Sequence, residues 1–417
     1  MSQSVIRTET LAPQSLWRNT VFQLLWGSQA ISGFGTAISG LALPLLTLTI
    51  TGSPIQAGLV GAGQAVARLA CQLPIGVVID RVDRRRLMLV SDAIRLVAFG
   101  LLAWAVLTGH ATLLWIAAVA MVTALFSTAH ETAEFSAIRN VVPLQQVPEA
   151  TALNQARLAA VNLAGPPIGG ALYGISRSLP FVADAVSYLL SFIGVWLIRR
   201  PMQQERTEPR EHPVKELVEG VRFVWREPFL RAVLLIAPPL NVALNGYAFA
   251  IIVILQQKGT PPVLIGAAET IIAVGALTGA VLASRIVRKV PMRTLAIGGF
   301  WVMTAVLAAG SLLTGSILVA VPVALSVMLM PSCNAALLGY QAAITPDRLQ
   351  GRVISVLFTS MMSLAIFSTL LAGAFVQWWG GPAAILAFGG IMALSAVGST
   401  LSRGVRTMRP LGEAATP

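Results

Sequence analysis

Twelve stretches of about 20 or more apolar residues, each long enough to cross roughly 30 Å of hydrocarbon as a helix, constrain this chain more than any other feature. They are expected at 21–50, 54–79, 87–108, 112–137, 150–175, 180–198, 229–255, 263–284, 292–313, 317–343, 351–377 and 382–402. Inside lipid every backbone amide and carbonyl must be paired within the protein, so each stretch reads as an α-helix. Only 11% of the 417 residues are charged, against about a quarter in soluble domains. The expected fold is therefore all-α and integral to the membrane, with twelve transmembrane helices in two six-helix bundles related by pseudo-symmetry.

Polar segments divide the chain. Residues 1–20 form an N-terminal segment, 21–198 a first bundle, 199–228 a linker, 229–402 a second bundle and 403–417 a tail. The linker starts rich in proline and charge. Its part from Val214 to Trp225 has apolar residues at helical spacing, the pattern of an amphipathic helix lying on a membrane surface. If both termini and the linker share one side, that side holds 23 Lys and Arg residues, and the other only Arg177 and Lys258. The positive-inside rule then puts both termini in the cytoplasm of a cell whose inner membrane the chain spans. The net charge of +12 is accounted for by topology, with the lipid bilayer as partner, and implies no nucleic acid. Cys71 and Cys333 both lie in apolar runs, and the three histidines are scattered, so neither a disulfide framework, a metal site nor a cofactor is expected.

The bundles carry traces of duplication. An ungapped shift of 208 residues (262 less 54) superposes Pro54 on Pro262, Gly58 on Gly266, Ala65 on Ala273, Leu69 on Leu277 and Arg85 on Arg293.

The loop after the second span reads Gly76-Val-Val-Ile-Asp80-Arg81-Val-Asp83-Arg84-Arg85. It resembles the G-x-x-x-D-R-x-x-R-R signature of the major facilitator superfamily, and the equivalent loop from Ser284 to Arg293 resembles its degenerate second copy. The resemblance implies a cytoplasmic gate. Asp80 would face the helix opening near Gly351, and Arg81 and Arg85 would bridge to carboxylates or helix-terminal carbonyls. Gly165-Pro166-Pro167-Ile168-Gly169-Gly170 in the fifth span resembles the core of the motif that marks proton-driven exporters of the superfamily. Ser91–Arg95, Leu179–Ser187 and Pro346–Val353 are similar to stretches of the twelve-span branch that includes macrolide-efflux and enterobactin-exporter proteins.

Ionisable residues inside spans are functional candidates because they are costly to insert. Asp92 and Arg95 stand three apart and read as an ion pair on one helix. Arg157 is level with Glu131 and Glu134, either of which could neutralise it. These two acids share a face of the fourth span, where like charge would favour proton uptake by one of them. Glu269 takes the place that Gly61 holds in the first copy, and it joins Glu131, Glu134 and Asp184 as a candidate proton carrier. Arg68 is a further intramembrane base. Polar and proline residues interrupt the first and seventh spans, which makes Gln29, Phe34, Asn241, Asn245 and Tyr340 candidates for a central cavity.

These features describe a secondary transporter that exports a small amphipathic molecule by alternating access in exchange for protons, as the resemblance implies, working as a monomer. Uptake or lipid flipping is the alternative within transport. An integral-membrane enzyme would need a catalytic cluster that three scattered histidines do not supply. A receptor or scaffold would need a folded soluble domain.

Overall fold

A computed structural model describes residues 16–199 and 213–408. Most of the N-terminal segment, the proline-rich part of the linker and most of the tail lie outside them. Ten segments among the described residues are long and apolar enough to span a membrane. The first bundle comprises α1 (Thr20–Thr51), α2 (Pro54–Arg81), α3 (Arg84–Leu107), α4 (Leu113–Val141), α5 (Val147–Ile175) and α6 (Leu179–Leu197). After the linker helix α7 (Pro213–Arg226) come α8 (Pro228–Gln257), α9 (Pro262–Lys289), α10 (Met292–Ala309), α11 (Ala320–Ile344), α12 (Gln350–Ala365) and α13 (Ser368–Leu401).

Local signals set the ends. Asn19 accepts hydrogen bonds from the Val21 and Phe22 amides to start α1, and Gly52 closes it at φ 64°, a conformation without steric cost only for glycine. Pro54, Pro228 and Pro262 each occupy a first turn, where the missing amide leaves nothing unpaired. The 52-residue segment 350–401 folds back at Gly380, φ 78°, so α13 contains two helices in opposite directions.

The first and seventh spans differ from expectation. Both run as continuous α-helices in spite of Pro44 in α1 and the Pro238–Pro239 pair in α8. The carbonyl that Pro238 leaves without its amide partner belongs to Leu234, and the Ser360 hydroxyl donates to it at 3.0 Å. The break falls instead in the eleventh span, at Ile366–Phe367 between α12 and α13.

Each half packs on itself, α1 against α5 and α6 and α3 against α4 and α6 in the first, α8 against α12 and α13 and α11 against α9 and α10 in the second. The halves meet along two seams, α2 with α13 and α5 with α9, and along α1 with α8. At the end of the molecule opposite the linker, Gln256 donates to the Leu45 carbonyl (2.9 Å) and Thr49 Oγ1 (3.0 Å), and Ser53 donates to Gln377 (3.0 Å). At the linker end, α7 lies on the second half. Its Val224 is fully buried, and Glu219 accepts from Arg348 (2.8 Å) and from Arg352.

Candidate functional site

The two seams are copies of one another. On the first, the α-carbon of Gly58 lies against the backbone of Thr369 and Leu370, and that of Gly373 against the backbone of Pro54 and Ile55. On the second, Gly266 lies against Pro166 and Pro167, and Gly170 against Pro262 and Val263. Gly58 and Gly266 are 208 residues apart, and Gly170 and Gly373 are 203 apart (373 less 170). The duplication seen between α2 and α9 therefore extends to α5 and α13. Any side chain at these four positions would collide with backbone, so glycine is what lets the halves touch.

The same geometry explains the Gly165–Gly170 motif. Gly165 and Gly169 admit α1 at Ala37 and Ile38, while Gly170 admits α9. Pro167 frees the Leu163 carbonyl, and Thr270 of α9 donates to it across the seam at 3.0 Å. On the other seam Thr369 donates to the Gly58 carbonyl at 3.1 Å. Each seam is thus a glycine contact with one threonine hydrogen bond.

Next to the seams is a cavity of about 440 Å³, walled by both halves. Arg68 and Gln72 line it from α2, Asn245 and Phe249 from α8, Glu269 from α9 and Thr369 from α13. The helix break contributes Ala365 and Ile366. Glu269 is half-buried, and its Oε1 is buried with no hydrogen-bond partner among the described residues. Arg68 is exposed and forms no ion pair with it. In one cavity without being paired, the carboxylate can engage a cationic solute or a proton, and the guanidinium an acceptor group of a solute.

The Major Facilitator Superfamily profile matches residues 25–365. The chain belongs to the major facilitator superfamily. Among its relatives in this superfamily is the multidrug efflux pump Tap of Mycobacterium tuberculosis, 30% identical over 301 residues, which covers 66% of this chain and 69% of Tap. The enterobactin exporter EntS of Shigella dysenteriae is 27% identical over 53% of each chain. Macrolide efflux protein A of Streptococcus pyogenes is 24% identical over 63% of this chain and 65% of the relative. A solved structure of a bacterial homologue of the lysosomal transporter Spinster, in an inward-facing and occupied conformation, superposes with a TM-score of 0.69 at 14% identity over 95% of this chain and 98% of its own. The fold is thus that of a superfamily transporter, and the chain is a multi-pass membrane protein.

Within this superfamily fold the remaining candidates separate. Asp92 and Arg95 form a buried ion pair, and the sequence does not reveal how many helices join it. His130 Nδ1 of α4 lies 3.2 Å from Asp92, Ser191 of α6 donates to Asp92 (2.8 Å), and Arg95 donates to Ser127 (3.3 Å). The Arg95 guanidinium also sits 4.3 Å from the centre of the Tyr188 ring. Asp184 is fully buried beside this cluster, bonded to Ser187, and does not line the cavity. Gln29 is buried within α1 and Phe34 half-buried there.

Glu131 and Glu134 have different surroundings. Positions three apart are offset by about 60° around a helix, and here that offset puts Glu134 against α5 while Glu131 is exposed. Glu134 accepts from Arg157 at 3.3 Å, with both side chains more than nine-tenths buried. Arg157→Met alone is expected to destabilise the protein by about 3–5 kcal/mol, because an unpaired buried acid remains. Thermal unfolding of the purified protein checks this, with most of the loss recovered when Glu134→Met is added. A double variant less stable than the single one would contradict the pairing.

Asn245 lines the inter-half cavity, but Asn241, one turn earlier, lines a separate pocket inside the second half. Tyr340 lines neither, because it packs edge-on against Phe229 with ring centres 4.7 Å apart. Of the gate residues, Arg84 donates to the Ser136 carbonyl (3.0 Å), and Arg85 to the Val195 (3.3 Å) and Trp196 (2.6 Å) carbonyls at the end of α6. These contacts tie the loop to its own half. The surroundings of Gly76 and the side chains of Asp80 and Arg81 lie outside the described residues.

Proposed function

We propose that this transporter exports a small amphipathic molecule, such as a drug, a macrolide-like compound or a siderophore, across the inner membrane in exchange for protons. The observation that carries this reading is Glu269, an acid with no partner among the described residues in a cavity walled by both halves. The export functions that Tap, EntS and macrolide efflux protein A are named for support the outward direction. The 23-to-2 distribution of basic residues supports cytoplasmic termini and a cytoplasmic linker end. In that orientation the joined far ends face outward, and the cavity is reached from the cytoplasm.

The cycle follows from the two-sided wall. Substrate enters from the cytoplasm and displaces a proton from Glu269, the halves rock so that the far-end seams part, and a proton from outside releases the substrate. Glu131, Glu134 and Asp184 keep structural or secondary roles in this scheme, and one chain is sufficient for the cycle. Asp80, by its motif, latches the cytoplasmic ends in the outward-facing state.

Flux of a fluorescent amphipathic cation in inverted vesicles tests the proposal. Uptake into the vesicle lumen is expected to rise with an inward-acid gradient and to fall to the leak rate when the gradient is collapsed. Flux indifferent to a gradient of either sign would overturn proton exchange. Asp80→Asn is expected to slow this flux by about tenfold, equivalent to about 1.4 kcal/mol, at unchanged expression; a wild-type rate would remove the latch.

A further inference from the structure

We propose that the transported molecule is an elongated cationic amphiphile bound in two connected compartments, its head beside Glu269 and its apolar tail threaded past Met362 into a pocket inside the second half. The inference rests on the transport reading above and adds the shape and chemistry of the substrate. The tail pocket is a cavity of about 200 Å³ between α8, α10, α11 and α12. Phe300, Met330, Leu337 and Met361 line it. Met362 belongs to the walls of both this pocket and the inter-half cavity, so the two spaces adjoin across one side chain.

Three features make this a passage. Met361 and Met362 lie in the last two turns of α12, shortly before the helix break, and methionine is unbranched and adapts to varied apolar shapes. Phe358 is 58% exposed and Met362 37% exposed, so the entrance to the pocket presents open apolar surface. The polar groups at the wall are amides, Asn241 and Asn334, with no charge to exclude a hydrocarbon chain. Asn334 has no hydrogen-bond partner among the described residues. At the other end the unmet electrostatic demand is for a cation. Glu269 Oε1 is buried and unpartnered, whereas Arg68 is exposed.

A homologous series from butyl- to dodecyltrimethylammonium, bound to the purified full-length protein and followed by the shift in thermal unfolding, tests this. Affinity is expected to rise about fourfold per methylene until the pocket is filled. Ala237→Phe narrows the pocket from α8 and Asn334→Trp narrows it from α11. In either variant the rise is expected to stop at short tails, with butyl binding within about twofold of wild type, since one methylene is worth more than that. Glu269→Gln is expected to weaken every member of the series by the same factor. A slope in both narrowed variants equal to that of wild type would overturn the tail compartment. Unchanged affinities in Glu269→Gln would overturn the head compartment. Dodecyl binding with the full slope but no flux in vesicles would leave the two compartments standing and remove the transport reading; flux without any slope would do the reverse.

Discussion

Glu269→Gln is expected to cut gradient-driven export at least about tenfold, the factor that corresponds to about 1.4 kcal/mol, while the protein still folds and still admits substrate. Glutamine keeps the size and hydrogen-bonding reach of the side chain but can neither lose a proton nor hold a cation by charge. Glu269 is set apart by its isolation. Glu134 is paired with Arg157 at 3.3 Å, and Asp92 with Arg95, so each already has a cationic partner within the protein. Glu269 alone of these three sits in a cavity walled by both halves, its Oε1 without a partner. Counterflow of labelled substrate without a gradient separates exchange from coupling. It is expected to persist in the variant, whereas equal loss of both would point to a damaged fold and against a coupling role.

Gly266→Val is the second large effect. The added carbon atoms would strike the Pro166 carbonyl and the Pro167 α-carbon, which are backbone and cannot rotate away. The α5–α9 seam would have to part, and the Thr270 bond to the Leu163 carbonyl would go with it. The far ends are expected to remain separated and transport to fall by about tenfold or more, since moving a two-state equilibrium from one extreme to the other takes only about 5.5 kcal/mol. A cysteine at Thr49, beneath the seam, reports the state. It should react with an impermeant thiol reagent from outside faster in Gly266→Val than in the parent. Slow labelling and full transport together would show that the seam does not gate the far end.

Much of the fold was legible because hydrocarbon thickness leaves so few solutions. Each expected span from 21–50 to 382–402 coincides with helix, since a run of apolar residues in lipid has no other way to pair its backbone. Half of the repeat was legible as well, where Pro54 and Gly58 recur at Pro262 and Gly266. The other half was not. Between α5 and α13 the decisive Gly170 and Gly373 match, but Pro166 and Pro167 align with Thr369 and Leu370, so no ungapped pattern survives. The Arg68–Glu269 cavity is a matter of tertiary placement, bringing together residues on two helices of different halves that no periodicity links. The helix break at Ile366–Phe367 is invisible for a related reason, because no proline or glycine marks it. Asn241 and Asn245 show the limit of reading by turns. One turn apart on α8, they face different spaces.

Two distances measured together show whether the halves rock about the cavity. Spin labels at exposed His110 and Lys258 span the far ends, and labels at exposed Gln145 and Arg288 span the linker ends. On addition of a transported cation and a proton gradient, the far-end distance should lengthen as the linker-end distance shortens. Distances that stay fixed, or that lengthen together, would contradict it.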